Sequence, residues 1–79
     1  MNRKRRRIYA GNSMRFVEID YKLVELLPEK RLRLYLRVIR DKYYALEADG
    51  VEAHRLEEIK EYTDYGYQLL HKLEKQSNK

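Results

Sequence analysis

Apolar residues along this chain recur mostly at steps of three and four, the spacing that lines one face of an α-helix. The pattern is most regular after Pro28. Leu32, Leu36, Ile39, Tyr43 and Leu46 form one seam, with the alternating steps of a heptad. Asp49-Gly50 is a turn signal. A second seam follows through Leu56, Ile59, Thr63, Gly66, Leu70 and Leu73. The spacing predicts one helix from Pro28 to Ala48 and another from about Val51 to Gln76. Proline is tolerated at a first helical turn, and Glu29 suits the positive end of the helix dipole. The short turn forces the two helices antiparallel.

Upstream the pattern is weaker. Phe16, Ile19, Leu23, Leu26 and Leu27 fit a first helix, capped by Asn12 or Ser13. A β-hairpin competes, turning at Gly11-Asn12 with Arg6–Ala10 paired onto Met14–Glu18 and Phe16-Val17-Glu18-Ile19 as a strand. The helix is the preferred reading. Leu34, Tyr35, Val38 and Ala45, with Tyr62, Leu69 and Leu73, widen one flank of the seam and call for a cover. The first helix supplies it, or, if too short, a second copy of the chain in a homodimer. The expected fold is all-α: a small three-helix arrangement with a long antiparallel helical hairpin and a basic N-terminal arm. Residues 1–12 make the arm and turn, 13–76 a single helical domain, and 77–79 a tail.

Charge changes this picture more than bulk composition does. The chain has 79 residues, 43% hydrophobic and 39% charged, with a net charge of +5 and no cysteine. That excludes disulfides, thiolate metal sites and a cysteine nucleophile, and it argues against wholesale disorder. No apolar run approaches the ~20 residues of a membrane span, and no apolar stretch follows the basic N-terminus as a secretory signal requires. A cytoplasmic protein is the default. Arg3-Lys4-Arg5-Arg6-Arg7 is a run of five cations equal to the whole net charge. Like charges in a row are either a solvated terminus or a phosphate-binding arm.

The second helix also carries a basic stripe, Lys30, Arg33, Arg37 and Arg40, and the third an acidic one, Glu57, Glu61 and Asp64. With opposed residue numbers totalling about 98, Arg40 meets Glu57 or Glu58, Arg37 meets Glu61, and Arg33 meets Asp64. An ion-paired flank is therefore the plainer reading of both stripes, and such exposed pairs contribute only ~0–1 kcal/mol each.

Catalytic chemistry finds little purchase. His54 and His71 are 17 residues apart, and His54 with Glu58 alone does not make a metal site. No phosphate-binding glycine loop, HExxH or GxSxG occurs. No enzyme activity, cofactor, metal or catalytic residue is expected. A helix-turn-helix reading fails because Glu52, Glu57, Glu58 and Glu61 would face phosphates.

Two binding readings remain. In the first, a small intracellular regulatory protein associates with nucleic acid or a nucleoprotein through Arg3, Lys4, Arg5, Arg6 and Arg7, extended by Arg15, Arg37 and Arg40. Contacts to phosphate make that largely sequence-independent. Tyr44, near Arg37 and Arg40, could stack on a base. In the second, a protein-only adaptor or inhibitor meets a partner protein through Tyr44, Tyr65, Glu57 and Glu61, since tyrosine is enriched at binding hot spots. A membrane-surface role for the arm ranks third, because Asn2 and the lack of cysteine leave no lipidation motif.

Overall fold

The computed structural model describes residues 6–9 and 16–77. Among them are two strands, β1 (Arg6–Tyr9) and β2 (Phe16–Ile19), and three helices, α1 (Tyr21–Leu26), α2 (Glu29–Ala48) and α3 (Ala53–Ser77). The fold is broadly all-α, with the long pair α2 and α3 packed along each other and a small antiparallel β-ribbon added. Among the described residues no helix is long and apolar enough to cross a membrane.

The preferred reading of residues from 13 as helix is corrected here. Phe16–Ile19 is a strand, and the helical part begins only at Tyr21. Phe16 and Ile19 are three apart, but Val17 and Ile19 are two apart and both buried. Over four residues the two periods cannot be separated by pattern alone. Pairing with β1 decides between them: the ribbon sets Ile8, Val17 and Ile19 against the helices and turns Arg7, Tyr9, Phe16 and Glu18 outward. Its register opposes Arg6 to Ile19 and Arg7 to Glu18, one residue from the pairing weighed above. The proposed turn at Gly11-Asn12 lies outside the described residues, as does the tail beyond 77.

α1 starts where the Asp20 carboxylate accepts from the Leu23 N–H at 3.3 Å. It ends after six residues because Leu27 and Pro28 are extended. α2 then begins with Glu29 in its first turn, and the Leu32 N–H donates to the Pro28 carbonyl at 2.8 Å. Its far end closes in a Schellman motif. The Gly50 N–H donates to the Glu47 carbonyl and the Val51 N–H to the Leu46 carbonyl, each at 3.1 Å. Gly50 has φ +85°, the left-handed geometry that this cap requires.

The core is one cluster: Leu32, Leu36, Ile39 and Leu46 of α2, Ile59, Tyr62 and Leu70 of α3, Val24 of α1, and Ile8, Val17 and Ile19 of the ribbon. Both heptad seams are where their spacing puts them. Gly66 is buried against Leu36, and its missing side chain brings the two helices together.

That contact resets the helix register. Residue 36 opposite residue 66 makes opposed numbers total 102, not 98. The connection consumes Asp49 to Glu52, with Glu52 accepting the first backbone bonds of α3, so α3 slides by about one turn.

Candidate functional site

The slide dismantles the expected ion-paired flank. Arg33 donates to Glu29 and to Glu74, both at 2.9 Å, rather than meeting Asp64. Glu58, offered to Arg40, pairs with Arg6 of β1. Among the described residues Arg37 and Arg40 form no ion pair, nor do Glu57, Glu61 and Asp64.

The sequence-picked residues fall into three groups. Arg3, Lys4, Arg5 and Arg15 lie outside the described residues. Arg6 and Arg7 are not on a free arm but on β1. Arg7 Nε donates to Glu18 at 3.2 Å across the ribbon. The Tyr9 hydroxyl first, and Glu18 second, raise the pKa of its guanidinium. The third group lies on the helices. Arg40 and Tyr44 of α2 line an interhelical groove of about 390 Å³ with Tyr43, Glu47, Lys60 and Tyr67. Tyr44 is 59% exposed there, and its ring meets that of Tyr43 edge-on at 5.6 Å. Arg37, Glu57 and Glu61 are exposed.

Tyr65 sits elsewhere, half-buried on the α1 side of α3. Its hydroxyl donates to Glu25 at 2.5 Å, and its ring contacts Tyr21 edge-on at 5.1 Å. The structure therefore does not bring Tyr44 and Tyr65 onto one surface.

Beneath α1 lies a hydroxyl chain. The Tyr35 and Tyr62 hydroxyls share a 2.6 Å hydrogen bond, and Tyr62 donates to the Asp20 carbonyl at 3.0 Å. Burial pushes both phenol pKa values up from their ordinary range. The chain ties the start of α1 to both long helices, which is a structural duty.

Sequence reasoning missed the outer face of the ribbon. Tyr9 and Phe16, cross-strand partners, hold their rings 5.4 Å apart. Arg7 stands 5.1 Å over the Phe16 ring, and Lys42 of α2 lies 5.5 Å from it. Tyr9 is 45% exposed. Two aromatic rings thus stand beside two cations, one of which, Arg7, ends the five-cation run. The signal was available in the hairpin reading: alternation of Arg7, Ile8 and Tyr9 against Phe16, Val17 and Glu18 puts both rings on one face.

Among the described residues no three His, Asp or Glu side chains gather as a metal shell would need. Compared with protein-family models, with curated proteins and with solved structures, the chain matches none.

Proposed function

We propose that the chain is a small non-enzymatic binding protein that associates with nucleic acid, or with a nucleoprotein, through its basic N-terminal run and the outer face of the β-ribbon. One observation carries the reading: the exposed Tyr9 ring pairs with the half-buried Phe16 ring, with Lys42 and Arg7, the last of the five consecutive cations, beside them. Cations that follow a phosphate backbone beside rings on which bases stack are the recurring design of single-strand binders. Arg7 is partly neutralised by Glu18 and Arg6 by Glu58. The electrostatic share of affinity therefore falls mainly to Arg3, Lys4 and Arg5. Recognition would be largely sequence-independent, because phosphate contacts carry no base information.

The test is fluorescence anisotropy with single-stranded DNA and RNA at several salt concentrations. The expected log–log salt slope is about −2 to −4, from three to five phosphates at ~0.7 each. Replacing Arg3, Lys4 and Arg5 by serine should flatten it. Tyr9→Ala, at an exposed position, should weaken binding by about 5- to 150-fold, the ~1–3 kcal/mol of a lost stack. No binding at low salt would refute the reading.

A second reading, a protein-only adaptor or inhibitor, is favoured by Tyr44 alone, open in the α2/α3 groove beside Arg40 and Asp64, which form no ion pair among the described residues. For such a partner, Tyr44→Ala should cost more affinity than loss of the basic run.

A further inference from the structure

The cover over the apolar flank is incomplete, and the gap has a defined shape and charge. α1 is six residues long, about 9 Å at 1.5 Å per residue. It is held to α3 by the Tyr65–Glu25 bond and by the packing of Tyr21 on Tyr62 and Tyr65. It therefore shields the α3 side of the flank and leaves the α2 side open. Leu26 is 81% exposed, Leu34 61% and Val38 50%. Between α1 and α2, Leu23, Leu27, Leu34, Tyr35 and Val38 line a groove of about 320 Å³ with Arg31 at its edge. Contiguous exposed leucine and valine beside a groove usually mark an interaction surface.

The rim says what fits. Helical neighbours lie three and four residues away. Around Leu34 these are Lys30, Arg31, Arg37 and Val38; around Val38 they are Leu34, Tyr35, Asp41 and Lys42. Four cations and one carboxylate therefore frame the apolar strip. Lys30, Arg31 and Arg37 are exposed and form no ion pair among the described residues. A second copy of α2 would press this cationic rim against its own image. An acidic partner gains on both counts.

We propose that the α1/α2 groove docks an amphipathic helix of a partner protein, with leucine-type side chains seated on Leu27, Leu34 and Val38 and acidic residues facing Lys30, Arg31 and Arg37. This is the helix-in-groove mode, in which apolar anchors give affinity and flanking charge gives orientation. This surface meets the β-ribbon face only at Lys42, and Lys30, Arg31 and Arg37 lie away from the Tyr9–Phe16 rings, so peptide docking here does not require nucleic acid on the ribbon.

The test uses a fluorescein-labelled helical peptide with leucines at i, i+3, i+4 and i+7 and glutamates on its flanks. Its control carries lysine in place of every glutamate. The acidic peptide should bind the full chain at least about tenfold more tightly than the control. The Leu34→Gln, Val38→Gln double variant should lose that binding by a similar factor. Both positions are exposed, so its circular dichroism and urea midpoint should match the parent. Tyr9→Ala should leave peptide binding unchanged. Equal affinity for the two peptides overturns the proposal, as does acidic-peptide binding that ignores the double variant and vanishes with Arg3, Lys4 and Arg5. Self-association in sedimentation velocity, abolished by the double variant, would assign the face to a second copy instead. Flotation on phosphatidylserine vesicles, lost the same way, would assign it to a membrane surface.

Discussion

Gly66→Ala puts two known effects in opposition at one atom. In an exposed helix interior the change stabilises by about 1 kcal/mol, because alanine gives up less backbone freedom. At Gly66 the new methyl would stand 3.4 Å from Leu36 Cγ and Cδ1 and would overlap Cδ2. A single flexible methyl can sometimes swing aside. Leu36 is fully buried, however, in a core where Ile39, Ile59 and Tyr62 are also closed off. Overpacking of this kind costs about 1–3 kcal/mol. The net expectation is destabilisation by about 1 kcal/mol, or roughly 4–8 °C in Tm for a domain of this size. Far-UV circular dichroism during urea and thermal unfolding reads it. The sharper test is a sign change. With Leu36→Ala already in place, a substitution that itself costs about 2–5 kcal/mol, the same glycine-to-alanine change should stabilise by about 1 kcal/mol, because the methyl now enters a cavity. Leu36→Val, a milder retraction, serves if alanine unfolds the chain. Contacting residues should show such coupling, whereas independent sites add within about 0.5 kcal/mol. A Gly66→Ala protein more stable than its parent, or effects that simply add, would refute the close approach of α2 and α3 at this level.

Two further outcomes follow from the hydroxyl chain and the α2 cap. Tyr62→Phe should destabilise by about 1–3 kcal/mol and Tyr35→Phe by less, because the second partner of Tyr62, the Asp20 carbonyl, accepts at 3.0 Å, whereas that of Tyr35, the Glu18 carbonyl, lies at a long 3.5 Å; urea midpoints rank them. The same two phenols have raised folded-state pKa values, so their contribution is complete below the ordinary phenol pKa near 10 and is lost as pH climbs above it. Stability should fall across alkaline pH, with delayed tyrosinate absorbance, and the Tyr35→Phe, Tyr62→Phe double variant should flatten that fall. Gly50→Ala should cost about 1–2 kcal/mol, the penalty for a side chain in left-handed geometry, because nothing else lies within 4 Å of the added methyl; an unchanged melting temperature would remove the Schellman cap from the account.

Long-range pattern and short-range pattern had different fates in this chain. Over twenty or more residues a heptad repeats often enough to be unambiguous. Leu32, Leu36 and Ile39 therefore revealed α2, and Ile59, Gly66 and Leu70 revealed α3, with the antiparallel turn at Gly50 and the small residue where the helices touch. Composition and charge likewise marked the basic run and the absence of cysteine chemistry without any coordinates. Over the four residues Phe16 to Ile19 no period could dominate, and only hydrogen bonds to β1 turned that stretch into a strand. Tertiary structure also decided where each charge went. A connection of four residues instead of two moved α3 by one turn, gave Arg33 to Glu74, left Arg37 and Arg40 without an ion pair among the described residues, and let Glu58 meet Arg6. The exposed ribbon face and the open α1/α2 groove share that origin. Each joins residues from separate elements, and their relation is set by the length of α1 and the register of packed side chains, quantities that no local pattern along the chain encodes.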